Sequence, residues 1–383
     1  MSYKDTLICT VGASLKTNSI RPNSPEQLKK LIDEAQSENM AGVAQILRNI
    51  KDPHDKTWGA EINSVASLIE KGFLNSRQKI FLLVSDTPDG ELIGNILKEY
   101  FQKNKNNLEF NSVEVVKVDK LNDKNRFDFK LHGLRNLVRE MANCAKDSLD
   151  RCIINATGGY KAAIAYAALL GQALNVPVYY LFESFDEIIE LLPIPVRFDP
   201  DLYRKYSKIF AMLEYMNTVE EKRFLEKFGF QSWASLPEEI KIFIERTRID
   251  TEDYLALNPL GQIYLESTEW DCSTIDDDDY KTNKPFSDKI TGSGGHATKF
   301  REFNEKITEE IAKLPWIELV SITGSSEIES GNAFRVWIEK DHLKMVLNSK
   351  KGTGFYVIQT TIKNQKFLEC VKKKIEEILQ ERR

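Results

Sequence analysis

Residues 152–174 restrict the fold more than any other stretch of this chain. Cys152-Ile153-Ile154 is a short apolar run, Asn155-Ala156-Thr157-Gly158-Gly159-Tyr160-Lys161 follows it, and Ala162-Ala163-Ile164-Ala165-Tyr166-Ala167-Ala168 continues as a run of small residues. A buried strand that turns through two glycines straight into a helix leaves backbone N–H groups aimed at whatever lies above the turn. Such a turn is either an anion site or a tight connection with a solvated lysine, and a Gly-rich turn alone does not separate the two. Lys161 stands in the first helical turn, where a cation gains nothing from the helix dipole, so its placement suits a negatively charged ligand.

The remainder of the first half supplies a partner for this turn. Thr6-Leu7-Ile8-Cys9-Thr10-Val11 is an apolar run that ends in Gly12-Ala13-Ser14-Leu15, a small-residue turn with a hydroxyl at its tip. Further strand-like runs at 79–85, 113–118 and 176–182 alternate with helical patterns near 25–35, 91–101 and 131–145. Strands separated by helices predict an α/β fold, a Rossmann-like and mostly parallel sheet with right-handed crossovers. Ligands of such sheets bind beyond the carboxyl ends of the strands, so Ser14 and the segment 157–161 are expected at one edge. Neither a Gly-x-Gly-x-x-Gly fingerprint nor a Gly-Lys-Ser/Thr phosphate loop is present, which argues against a dinucleotide cofactor and a nucleotide triphosphatase.

With 383 residues the chain has length for two or three cores. Charged residues are 29% of the sequence and the net charge is −5, so the chain as a whole is no blanket for nucleic acid. Cys9, Cys144, Cys152, Cys272 and Cys370 are scattered, without Cys-x-x-Cys spacing, and read as reduced small hydrophobes. The first residues show no signal-peptide pattern and no apolar run reaches membrane-spanning length, so a cytoplasmic location and no membrane contact are expected.

Five segments in order resemble the CRISPR-associated Rossmann-fold sensor, the CARF domain: Thr10-Val11-Gly12-Ala13-Ser14-Leu15, Gly59-Ala60-Glu61-Ile62-Asn63-Ser64, Ser85-Asp86-Thr87, Gly133-Leu134-Arg135-Asn136-Leu137, and Asn155 to Lys161 followed by Pro177-Val178-Tyr179-Tyr180. The resemblance covers residues 1–200. It implies a homodimer that binds a cyclic oligoadenylate, most often the four-membered ring, as allosteric activator and with no other cofactor. The ligand-binding residues it implies are Gly12, Ala13, Ser14, Thr157, Gly158, Gly159 and Lys161. Some members of the family also cleave the ring, and the positions matching Ser14 and Lys161 are those implicated. Ala13 replaces a frequent threonine, and Tyr160 stands where another large residue or threonine is common.

After Pro193-Ile194-Pro195 the composition shifts. Residues 201–265 read as a helical, winged-helix-like connector whose end, Asp253 to Leu265 with Asn258-Pro259-Leu260-Gly261 at its middle, resembles a closing helix or wing, and acid-rich stretches there favour connection or dimerisation over DNA reading. Lys222, Arg223, Arg246 and Arg248 read as a solvated face. Residues 266–295 read as a linker, with Asp276-Asp277-Asp278-Asp279 followed by Gly292-Ser293-Gly294-Gly295. Consecutive aspartates without an ordered loop repel one another, so no metal site is expected there.

Residues 296–383 form the expected output domain, a small α+β unit. An amphipathic helix over 296–314 carries Phe300, Phe303, Ile307 and Ile311 on one face. Strands are predicted at 317–322, 333–339, 343–348 and 355–361, then a basic helix over 367–382. This order resembles the RelE-type messenger-RNA interferase, supported by Gly331-Asn332-Ala333-Phe334-Arg335-Val336 and by the Gly-containing hairpin before Tyr356. The resemblance implies metal-independent cleavage of RNA, commonly at the ribosome, with lysine and arginine polarising the phosphate while a 2′-hydroxyl attacks. The catalytic candidates are Arg335, Lys344, Lys350, Lys351 and Tyr356, the last as a ring on which a base stacks. Strand alternation sets Arg335 with Trp337, and Lys344 with Val346, on one face. A HEPN ribonuclease needs Arg and His spaced on a helix, and Arg335 to His342 lies in a strand. A PD-(D/E)xK nuclease finds only the fragment Ile338-Glu339-Lys340. The sequence therefore reads as a ligand-controlled ribonuclease, with a ring nuclease or a ligand-responsive winged-helix transcription regulator as alternatives.

Overall fold

The computed structural model describes residues 3–103, 108–182, 187–195, 198–292, 301–326, 334–349 and 352–381. The chain divides into two compact units, residues 1–201 with 220–268 and residues 202–219 with 269–383.

The first unit is built on a six-stranded sheet of β1 (Thr6–Thr10), β2 (Lys79–Ser85), β3 (Ser112–Val118), β4 (Cys152–Asn155), β5 (Val178–Phe182) and β6 (Glu187–Glu190). The order is β3-β2-β1-β4-β5-β6; all neighbours are parallel except β5 and β6. Alternate residues of each inner strand are buried on opposite sides. Leu7, Cys9, Ile80, Leu82 and Ile153 join one core with helices Glu26–Gln36, Ala60–Glu70 and Pro88–Lys103. Ile8, Phe81, Leu83, Cys152 and Ile154 join the other with Leu134–Ala145 and Lys161–Leu174. Covering both faces is what makes these strands read as unbroken apolar runs rather than alternating ones. The expected Rossmann-like α/β fold is therefore observed, and its strand order reverses between β1 and β4.

Part of the winged-helix-like stretch belongs to this unit. Ile244–Ile249 and Glu252–Leu257 pair as an antiparallel hairpin. Helix Pro259–Glu266 follows, its first turn capped where Gly261 N donates to Asn258 Oδ1 at 2.9 Å. Ile263 of that helix lies in the core formed with Leu134–Ala145 and Lys161–Leu174.

The second unit holds a five-stranded sheet in the spatial order Ile290–Gly292, Ile317–Ser326, Gly352–Thr360, His342–Ser349, Phe334–Glu339, antiparallel except for the first pair. Ile307 and Ile311 of helix Arg301–Lys313, and Phe367, Val371 and Ile375 of helix Gln365–Glu381, pack with Val320, Val336, Met345, Tyr356 and Ile358 of the sheet. Of residues 266–295, read as a linker, those described from 269 onward instead belong to this unit: Ile275 and Tyr280 are buried in its core, and Asp277 and Asp278 are used locally in a turn cap and an ion pair with Lys281. The aspartate run punctuates short turns because each side chain can accept from a nearby backbone N–H. A second correction concerns the cysteines. Cys272 and Cys370 form a disulfide, their Cα atoms 5.3 Å apart across a sequence separation of 98, because the turn at 272 lies against helix Gln365–Glu381. Cys9, Cys144 and Cys152 remain buried thiols, as read from the sequence. Among the described residues no helix is long and apolar enough to cross a membrane.

Candidate functional site

Two short turns meet at the place where the sheet reverses direction. Cys9 of β1 is in register with Asn155 of β4, so the turns that follow the two strands emerge side by side. Contact between them is close enough to require glycine. A Cβ on Gly12 would stand 2.6 Å from Gly159 N, and one on Gly158 would collide with Glu61 Oε1 and lie 2.5 Å from the Thr10 carbonyl oxygen. Gly159 has φ +89°, open to glycine with little strain. Thr10 Oγ1 then ties the turns together by donating to Gly158 O at 2.6 Å.

Glu61 sits beneath both turns. It lies in the first turn of helix Ala60–Glu70 and is only 1% exposed. Its Oε1 accepts from Gly12 N at 2.7 Å, and its Oε2 accepts from Ser14 Oγ at 2.9 Å. Ser14 Oγ in turn accepts from Ala60 N at 3.1 Å. Burial pushes the carboxyl above the ordinary glutamate range against the pull of these donors. Across the sheet edge, burial and the neighbouring Glu61 also raise the Cys9 thiol far above its usual value, so Cys9 is a packed group rather than a nucleophile.

The sequence candidates separate into two sets here. Gly12, Ser14, Gly158 and Gly159 form the junction itself. Ala13 is exposed and precedes helix Ser14–Ser19. Lys161 is exposed at the first position of helix Lys161–Leu174. Thr157 faces inward. Its hydroxyl donates to Asn155 Oδ1 at 2.6 Å and accepts from Leu181 N at 2.9 Å, while Asn155 Nδ2 donates to Ser64 Oγ at 2.7 Å. With its one hydrogen already spent, Thr157 braces the turn and offers no donor to a ligand. Tyr160 meets Phe129 edge-on, ring centroids 4.9 Å apart. A separate cavity of about 310 Å³ is lined by His54, Asn63, Ser67, Glu70, Lys71 and Leu181, and contains none of the sequence candidates.

In the second unit, register decides which candidates share a face. Arg335 pairs with Val346 and Trp337 with Lys344, and these strand positions continue to Phe355 and Val357. Arg335, Trp337, Lys344 and Phe355 therefore stand on one face, away from the helices that cover the other. The Arg335 guanidinium lies 5.4 Å from the Trp337 ring centroid, and Phe355 is 40% exposed. Lys344 Nζ is 2.5 Å from Glu339 Oε2, and that lysine holds the Glu339 carboxyl below its usual range.

Tyr356 is the exception among the described candidates. It pairs with Met345 and Ile322 on the opposite face and is 3% exposed inside the helix-covered core, so it cannot present a ring to a base without leaving that core. The one-residue step between Phe355 and Tyr356 places them on opposite faces. Lys350 and Lys351 lie outside the described residues, as do Gly331, Asn332 and Ala333 of the quoted motif. Sequence reasoning did not place Glu61 among the site residues, although it lies in the quoted segment Gly59 to Ser64; by itself an acid in a helix's first turn is an ordinary preference. It also missed Phe355 as the exposed ring.

Residues 56–195 match the model of a protein family described as CRISPR-associated protein (Cas_APE2256). Over this segment the chain is similar to a CRISPR-associated family. The matched segment runs from the approach to Glu61 through β6 and includes Gly158, Gly159 and Lys161, while Gly12 and Ser14, which follow β1, and all of the second unit lie outside it. No curated protein matches the chain.

Proposed function

We propose that this chain is a cyclic-oligoadenylate-controlled ribonuclease of CRISPR-linked antiviral defence, with ligand binding in the first unit and RNA cleavage in the second. The observation that carries the reading is the junction of two glycine turns at the strand reversal of a parallel sheet, the second turn lying within a segment similar to a CRISPR-associated family. Backbone N–H groups at such a junction suit phosphates, and Lys161 adds a cation nearby. A ring of phosphates has symmetry that two copies of the turn can match, so the reading includes a homodimer. Helix Lys161–Leu174 leaves Ala162, Ala165 and Leu169 exposed, an apolar face suited to that contact.

On the second unit, Arg335 and Lys344 would hold and polarise a phosphodiester while the RNA's own 2′-hydroxyl attacks phosphorus, giving a 2′,3′-cyclic phosphate and a 5′-hydroxyl. Trp337 and Phe355 supply the stacking surface first sought at Tyr356. The test is messenger-RNA cleavage in a translating extract, with and without cyclic tetra-adenylate, beside naked RNA. Cutting that requires both ligand and ribosomes is expected; ligand binding with no cut in either sample would overturn the ribonuclease reading.

One observation favours a second activity, slow cleavage of the ring itself. Ser14 Oγ is held on a carboxylate at the junction, a pairing that can orient a ribose 2′-hydroxyl beside its phosphate. The transcription-regulator alternative loses support. Arg246 is engaged by Glu221 and Asp253, and the helix before the hairpin is only Glu238–Lys241, beginning with two acids.

A further inference from the structure

The junction has a feature that anion binding alone does not require, a buried carboxylate directly under the turns that would receive phosphate. We propose that Glu61 is a positioning residue that takes up a proton when a phosphodiester ligand enters the junction, switching Ser14 from a spent hydroxyl to a donor. The proposal rests on the ligand-binding reading above and specifies how the same site accepts negative charge.

The geometry sets out both states. With Glu61 ionised, Gly12 N–H and the Ser14 hydroxyl hydrogen are both donated to it, so Ser14 has no hydrogen for a ligand. With a proton on Oε2, that proton can be donated to Ser14 Oγ, which already accepts from Ala60 N. The serine hydrogen is then released toward the open side of the turn. Gly12 N–H keeps its acceptor in either state, so the backbone need not move.

Electrostatics favour the protonated state once an anion is present. Glu61 is 1% exposed, so its charge is poorly screened, and a phosphate above the turn would raise the cost of keeping it ionised. Among the described residues, no Lys, Arg or His bonds to the carboxylate. The groups facing it are the Cys9 thiol from β1, Ser14 from the first turn and Gly158 from the second turn. Lys161 stands exposed at the start of the following helix. Cys9 is held as a neutral thiol by burial, so Glu61 is the group among these whose charge can respond.

The experiment is titration calorimetry of the full chain with cyclic tetra-adenylate in buffers of differing ionisation enthalpy, repeated between about pH 6 and 8. Wild type should take up protons on binding, and its affinity should fall with rising pH by up to about tenfold per pH unit. Glu61→Gln keeps an acceptor for Gly12 N–H and offers an amide N–H to Ser14, so it should bind with no proton uptake and a flat pH profile. Ligand binding without proton uptake in wild type would overturn the inference while leaving the ligand reading intact. An unchanged pH profile in a folded Glu61→Gln protein would do the same. No binding under any condition would remove the ligand reading and this inference with it. Should the variant fail to fold, the proton count of wild type still decides the matter.

Discussion

The two units present their polar groups in different ways. In the first, polar side chains at the junction are tied to the backbone of the turns and strands: Thr10 holds the Gly158 carbonyl, Glu61 holds the Gly12 amide, and Thr157 accepts from Leu181 N. In the second, Arg335, Trp337 and Lys344 are side chains on an open sheet, tied to each other and to Glu339 by surface contacts. A site made of backbone turns resists change and fails by losing the fold. A site made of side chains on a sheet can lose its chemistry while the fold persists.

The sharpest way to break this contrast is one methyl group in each unit. Gly158→Ala sets a Cβ against Glu61 Oε1 and the Thr10 carbonyl oxygen, neither of which can retreat without opening the junction. We expect a loss of more than about 3 kcal/mol, read as a lower midpoint in urea, together with loss of ligand binding. Gly324→Ala, on the sheet of the second unit, meets only Phe355 Cδ2 at 3.7 Å, and its effect should stay within about 0.5 kcal/mol. Equal losses at the two positions would end the distinction.

Acid sharpens the comparison next. Burial first, then Arg135 and Lys120, push His132 down to about 4 from 6.5. A base whose folded value is lowered contributes stability that is present above the unfolded value and lost as pH falls toward the folded one. The first unit should therefore lose about 2–3 kcal/mol between pH 6.5 and 4 through this residue. Glu61 acts in the opposite sense. Its raised value gives stability that is present at acid pH and declines as pH rises through it. His132→Gln should flatten the acid limb of unfolding curves; an unaltered limb would show that other groups control it.

The fold of the first unit was legible because its signals are local. Apolar runs ended in small-residue turns, and the helical patterns near 91–101 and 131–145 fell in helices Pro88–Lys103 and Leu134–Ala145. Gly12, Gly158 and Gly159 stood out because only glycine tolerates such approach. What escaped notice depends on distant partners. Glu61 gains meaning only when β1 brings Gly12 and Ser14 above it, and Tyr356 differs from Phe355 only in which face its strand register turns inward. The Cys272–Cys370 bond joins positions that no spacing rule connects.

A smaller effect tests whether Thr157 is a brace or a ligand group. Thr157→Val keeps the shape but removes the donor to Asn155 and leaves Leu181 N without its acceptor, costing about 1–2 kcal/mol. Ligand affinity should change only a few-fold in the folded variant. A loss on the order of 100-fold with little change in stability would place Thr157 in the binding set, as the family resemblance implies.

The smallest effect on stability should accompany the largest effect on output. Arg335 is exposed, and its guanidinium lies over Trp337 without filling a core. Arg335→Ala should leave the melting temperature and cyclic tetra-adenylate binding unchanged while removing RNA cleavage. Arg335→Lys retains charge but loses the planar fork that can bind a phosphate through two N–H groups and stack on the ring, so it should recover only part of the rate. Trp337→Ala and Phe355→Ala should raise the RNA concentration needed for half-maximal cutting more than they reduce the rate at saturation, because stacking holds the base and takes no part in bond breaking. If Arg335→Ala cuts at the wild-type rate, the reacting phosphate does not lie on this face. Lys350 and Lys351, which lie outside the described residues, would then be the next positions to substitute.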